Sequence, residues 1–218
     1  MEATHCAQQS AAHVARVAGL ENVFIDTSEL FPFTIMDLLL TLSEDLLFTW
    51  VWTDELLDEW ERVIVEHGHR TPESARSVSA AVRGFFAEQR ITPDLYRTRI
   101  TDDLSPGPTD RVHAAACVFG SVNILLTKNA KHFQARRLAE AGVQVMNADD
   151  YLCILFERHP DQVAESIRRA AAAKTDPVVT VDDMIEQVSH AGAHRFAIKM
   201  RTYRSGPIDP SADRIRLD

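Results

Sequence analysis

Cysteine is scarce: Cys6, Cys117 and Cys153 are the three in the chain. An odd number at such separations supports neither a disulfide framework nor a paired thiolate metal site, and a reducing cytoplasm is the expected location. Long apolar runs are missing as well. No segment approaches the roughly 20 apolar residues that span a bilayer, and no basic stretch followed by an apolar signal core opens the chain, so a soluble protein is expected. Nor is there an excess of positive charge, since 23 Lys and Arg against 32 Asp and Glu leave a net charge of −9. That balance excludes a protein that coats nucleic acid by bulk electrostatics, because phosphate binding needs concentrated Lys and Arg. Any nucleic-acid contact must come from a local patch. Internal repeats and low-complexity tracts are absent too.

What is present suits one α/β core with appendages: 218 residues, 45% of them hydrophobic. Residues 7–18 have the pattern of an amphipathic helix and carry no catalytic cluster, which makes 1–21 an N-terminal helical extension. Residues 22–26 are an apolar run ending in an acid, the pattern of a buried parallel strand. A core helix is expected over 35–42 and a second strand over 48–52. Thr53 is a suitable N-cap, with Asp54 and Glu55 in the first turn of a helix reaching Glu66. A third helix starts at Thr71-Pro72 and extends toward Glu88. The loop 102–109, with Pro106, Gly107 and Pro108, sets up a helix over 110–119. A strand over 123–127, a helix over 134–141 closed by Gly142, and a strand over 143–146 follow. This alternation predicts a three-layer α/β/α domain over 22–150 around a mostly parallel sheet. Helices near 149–158, 161–173 and 181–200 make 151–218 a C-terminal helical extension, with a flexible tail.

The informative pattern is where the polar residues fall. Asp26 ends the first strand, Glu59 lies within the helix after the second, Asp110 begins a later helix, and Asn129 follows the Leu-Leu-Thr of another strand. Strand carboxyl ends and the adjoining helix N-termini of a parallel sheet share one edge, so these distant residues can converge. Each also has a local role open to it: a turn cap for Asp26, a solvated helix position for Glu59, an N-cap for Asp110. Carboxylates gathered in one pocket repel and raise each other's pKa, a balance that a divalent cation reverses. Oxygen donors favour Mg²⁺ or Mn²⁺ over zinc.

Four stretches carry a resemblance: VFIDTS at 23–28, TDELLDEWERVI at 53–64, TDRVHAAA at 109–116 and LLTKNAKHF at 125–133. In this order and spacing, across 22 to about 150, the chain resembles PIN-domain ribonucleases, particularly the VapC-like toxins of type II toxin–antitoxin systems. The resemblance implies a PIN-like fold and a Mg²⁺- or Mn²⁺-dependent endoribonuclease, in which a metal-activated water hydrolyses RNA phosphodiesters. It makes Asp26, Glu59 and Asp110 the metal-binding acids, with Asn129 as a fourth catalytic position. The choice of Glu59 over Glu55 or Asp58 rests on the family register before Arg62. Ser28 and Thr127 match supporting positions. Asn129 stands where relatives often have Asp, and Gly107 where many have a further acid. The implied partners are RNA, as single strands or loops whose bases can be splayed out, and a small antitoxin protein. Self-association as a homodimer is compatible with the same family, and no membrane is involved. Arg62, Arg111, Lys128 and Lys131, with Arg136 and Arg137 nearby, are the candidate RNA-binding cations.

Two other readings compete. Asn129, Gly107 and the acidic balance motivate a catalytically weakened PIN-fold regulator that binds RNA or protein. A phosphatase of the haloacid-dehalogenase type also has an Asp after its first strand, but needs an acid where Ser28 stands. His190 and His194 are spaced i, i+4 on a predicted helix, yet Ala191 occupies the position of the Glu in an HExxH zinc motif. Trp50 and Trp52 belong to the strand core or its rim, and stacking on RNA bases is the competing role. His67 and His69 follow a helix end, and Arg168 and Arg169 suit a solvated helix face.

Overall fold

The computed structural model describes residues 19–205, so the helix expected over 7–18, Cys6 and the tail after 205 lie outside the described residues. Strand β1 (Asn22–Ile25) is buried at every position, because helices cover both faces of the sheet. It leads through a short helix, α1 (Thr27–Leu30), into α2 (Phe33–Glu44), β2 (Thr49–Val51) and α3 (Asp54–Glu66). Helices α4 (Pro72–Phe85), α5 (Pro93–Tyr96) and α6 (Pro108–Phe119) precede β3 (Ile124–Leu126). Then come α7 (Ala135–Glu140), β4 (Gln144–Met146) and four helices: α8 (Ala148–Arg158), α9 (Pro160–Ala172), α10 (Val181–His190) and α11 (His194–Ser205).

The strands form one sheet in the order β2-β1-β3-β4, every neighbouring pair parallel. Phe24 pairs with Val51 on one side and Leu125 on the other. The architecture is α/β, a parallel sheet flanked by helices, in line with a PIN-like three-layer fold. The chain leaves β1 toward β2 and later returns to β1's other side with β3. The crevice between β1 and β3 is therefore the topological switch point, where open α/β sheets place ligands.

Local signals account for the helix starts. Thr53 accepts the Leu56 N–H at 3.2 Å, Thr71 that of Ser74 at 3.2 Å and Asn147 that of Asp150 at 2.8 Å. Thr180 and Asp183 form a reciprocal capping box. Helix α3 buries Leu56, Leu57, Trp60 and Ile64 along one stripe. Trp50 and Trp52 are buried in the sheet core, and the Trp52 indole donates to the Phe86 carbonyl at 2.8 Å. Neither ring is open to a nucleobase.

Several bounds differ from expectation by a residue or two, the short helices α1 and α5 have no counterpart in it, and two differences are larger. Helix α4 stops at Phe85, short of Glu88, and a 3-10 turn over Ala87–Gln89 brings Arg90 beside Trp52. The helix expected over 181–200 is two helices, broken where Gly192 takes a positive φ of 114°. His190 and His194 therefore sit on different helices, one beside Glu186 and the other beside Ser189, so the i, i+4 zinc face does not form. The C-terminal helices pack on the sheet domain. Phe156 of α8 meets Phe196 and Tyr203 of α11 edge to face, and Asp149 accepts the Arg195 and Phe196 N–H groups. Among the described residues, no helix is long and apolar enough to cross a membrane.

Candidate active site

Asp26 lies one residue past β1, and its N–H continues the ladder to the Leu126 carbonyl of β3 at 2.8 Å. That pairing sets its carboxylate over the switch-point crevice. Oxygen Oδ2 accepts the Ser28 hydroxyl at 2.5 Å and the Thr127 hydroxyl at 2.9 Å. Each hydroxyl in turn accepts a backbone N–H, from Lys128 to Ser28 Oγ at 3.1 Å and from Asn129 to Thr127 Oγ1 at 3.0 Å. A hydroxyl has one proton to donate and lone pairs to accept with, so both are used in full and polarised toward the carboxylate. Ser28 and Thr127, distant in sequence, thus act on one oxygen of one residue.

Glu59 sits on the flank of α3 that faces α6. Its Oε2 accepts a hydrogen bond from His113 Nε2 at 3.1 Å, across from α6. Burial alone would raise this carboxyl, but the hydrogen bond and charge of His113, with Arg62 and the Thr27 hydroxyl, hold it below its usual value. The other acids of α3 are committed elsewhere. Glu55 bonds to Tyr96 and Arg97, while Asp58 pairs with Arg83. Glu59 is among the charges that raise Asp110.

Asp110 occupies the first turn of α6, with its Oδ2 3.5 Å from His132 Nδ1. Burial raises its carboxyl, and the charges of Asp26 and Glu59 raise it further against the lowering influence of His132 and His113. Asp26 and Glu59 therefore both lie within electrostatic reach of Asp110. Accessibility grades outward, from 7% at Asp26 to 22% for the Glu59 side chain and 29% for that of Asp110, so the set opens to solvent on the α6 side. A Cβ on Gly107 would come within 2.6 Å of Asp110 Oδ2, so a larger residue there would make the Asp110 side chain shift. Asn129 is exposed beside the crevice, with its backbone holding Thr127.

The raised Asp110 carboxyl makes a stability prediction for metal-free protein. A folded-state value above the unfolded one means that stability is fully present below the unfolded value and is lost as pH rises through the folded value. Asp110→Asn should therefore unfold at a higher temperature than the parent at neutral pH in chelator, with the gap closing in acid. Thermal unfolding at both pH values checks this, and equal melting at neutral pH would refute it.

Two residues near the acids were not singled out by sequence reasoning. His113 is buried and in contact with Phe24, and its other ring nitrogen has no partner among the described residues. It lies three residues past Asp110, on the same helix face, which is the signal that marks it. Glu29, also buried, accepts the Ala148 N–H at 3.0 Å and so holds the start of α8 against the core. Burial raises its carboxyl, while the Ala148 N–H and Lys128 oppose that shift. Among the candidate RNA contacts, Arg111 is bound to the Ser105 and Pro106 carbonyls and to Asp102, and Arg62 to Glu66. Arg136 and Arg137 pair with Glu140, and Arg137 also with Asp103. Lys128 and Lys131 are exposed.

The fold defines a class: an α/β protein with a parallel sheet between helices and an aspartate, Asp26, bonded across β1 and β3 at its switch point. Residues 148–202, from α8 into α11, match the model of the VapC50 C-terminal domain, which suggests a VapC-family toxin. Curated proteins and solved structures give no match.

Proposed function

We propose that this chain is a Mg²⁺- or Mn²⁺-dependent endoribonuclease, the toxin of a toxin–antitoxin pair. What carries the reading is that Asp26, bonded by Ser28 and Thr127 at the end of β1, and Glu59, bonded by His113, both lie within electrostatic reach of Asp110. The match of residues 148–202 to a VapC50 domain supports it independently, since it lies outside the acidic residues.

The donor chemistry fits a hard divalent cation: carboxylate oxygens, no thiolate, and like charges that raise Asp110. As arranged, no three His, Cys, Asp or Glu side chains among the described residues stand close enough to hold a metal ion, and Glu59 and Asp110 lean on His113 and His132 instead. Asp26, Glu59 and Asp110 are the residues that would hold the cation. When bound, it supplies neutralisation of the phosphate and a lowered pKa for an attacking water.

The remaining roles belong to the chain. Ser28 and Thr127 hold Asp26 in place, His113 orients Glu59, and the Asn129 amide offers a neutral polar contact at the open side. Lys128 and Lys131 attract the phosphate backbone. A small antitoxin protein would hold the enzyme inactive in the cell.

The test is cleavage of a total RNA pool by purified protein freed of partners. Cleavage with Mg²⁺ or Mn²⁺ that stops in chelator is the expected result, and none in either condition would sink the reading. The absence of a closed acidic triad favours one second reading, a binding protein of the same fold without catalysis. Calorimetric titration with Mn²⁺ separates the two. Binding that vanishes in Asp110→Ala argues for the nuclease.

A further inference from the structure

An acidic protein that takes a polyanion must do so where its cations are uncompensated. Among the described residues, nearly every Lys and Arg has a carboxylate at salt-bridge distance; the exceptions are Arg70, Arg99, Lys128 and Lys131. Arg99 lies over the Phe119 ring at the end of α6 remote from Asp110. Lys128, whose N–H bonds Ser28 beside Asp26, and Lys131 follow β3, whereas Arg70 follows α3 and stands over Phe33 at the start of α2.

On the Arg70 side the surface is built of rings. Phe31, just past α1, is met edge to face by His67 at 5.1 Å and by His69 at 5.0 Å between centroids. The Arg70 guanidinium carbon stands 4.6 Å over the Phe33 ring. Both phenylalanines are half-buried, whereas the two imidazoles and the guanidinium are exposed, so the phenylalanines hold flat polar groups toward solvent. His67 is eight residues beyond Glu59, about 12 Å along an α-helix. Past Phe33 and Arg70 the surface dips into a groove between α2 and α10, also lined by Lys174 and Met184, where Asp37 is already neutralised by Lys174 at 2.7 Å.

Single strands are held by cations that track the backbone and by planar side chains on which bases stack. We propose that the ledge of Phe31, His67, His69, Phe33 and Arg70 carries the bases of single-stranded RNA on one side of the acidic set, while Lys128 and Lys131 hold phosphates on the other. The proposal rests on the ribonuclease reading for its ligand but not for its test. The strand then crosses the crevice between the two contacts, which puts a backbone phosphate beside Asp26, Glu59 and Asp110.

The experiment measures anisotropy of a labelled single-stranded RNA of mixed sequence, with every protein in the Asp110→Asn background and without added metal, so that no cleavage intervenes. Arg70→Glu and the double change His67→Ala, His69→Ala should each weaken binding about tenfold. Arg70→Gln should also lower the slope of log affinity against log salt by about 0.7. Arg168→Glu, on the remote face of α9, should bind as its parent does. These positions are exposed, so they carry the test even if Phe31→Ala fails to fold. Ledge variants that bind like their parent overturn the proposal, as does a parent that binds no RNA. Loss of self-association or of a co-expressed small protein, with RNA affinity intact, would instead assign the ledge to a protein partner. A parent that binds through the ledge, while the unmodified enzyme cuts nothing with Mn²⁺, leaves the proposal standing and removes the nuclease reading alone.

Discussion

Asp26→Asn is expected to lower metal-dependent cleavage of RNA by on the order of a thousandfold while leaving the fold intact. The substitution is close to isosteric. Its carbonyl oxygen can take the place of Oδ2 and keep the hydroxyls of Ser28 and Thr127, which are the only side-chain bonds given to this carboxylate among the described residues. Its amide then replaces Oδ1, the oxygen left over for a cation, and the charge is gone. Stability should change little, because the network that ties β1 to the Thr127–Asn129 turn survives. Single-turnover cleavage with Mg²⁺, run beside thermal unfolding of the same preparations, separates lost chemistry from lost structure. A variant that cuts as fast as the parent would remove Asp26 from the mechanism. One that melts far below the parent would show that Asp26 is mainly structural.

The largest stability effect should come from Trp60→Ala, at about 3–5 kcal/mol. Trp60 is fully buried next to Glu59, and its indole N–H donates to the Leu30 carbonyl at 3.2 Å, the last residue of α1. Its ring also meets Phe33 edge to face at 5.7 Å. One side chain thus fastens the helix that carries Ser28 to the helix that carries Glu59. Alanine would leave a large cavity and an unpaired buried carbonyl, two separate penalties. A melting temperature lower by about 10 °C or more is expected for a protein of this size. Trp60→Phe fills most of the space but lacks the N–H, so it should lose only part of that amount. A loss below about 1 kcal/mol in Trp60→Ala would contradict the packing account.

Much of this was legible in one chain of letters because it follows local rules. The buried run ending at Asp26, the Thr53 and Thr71 caps, the Pro-rich entry to α6 and the Gly142 stop all depend on residues a few positions apart. Strand polarity and the edge rule gave the expectation that Asp26, Glu59, Asp110 and Asn129 share one sheet edge, whereas Thr127, which bonds Asp26, entered only through the family resemblance. The break at Gly192 escaped because a lone glycine within a helical pattern costs about 1 kcal/mol, which tertiary contacts commonly override. Here Asp149 reaches across from α8 to cap a new helix start, a contact between residues far apart in sequence.

The sequence by itself therefore determined the order of the strands and of the longer helices between them, and the parallel sheet, since periodicity, capping and turn chemistry act over one or two helical turns. Only the tertiary structure decided which acid of α3 faces the crevice. Arg83, Tyr96 and Arg97, on or beside α4 and α5, engage Asp58 and Glu55, whereas His113 of α6 draws in Glu59. It also decided which cations remain uncompensated, because each ion pair depends on where two distant segments meet. Helix phase says which residues share a side, but the neighbour on that side, and so the charge left over, is set by packing.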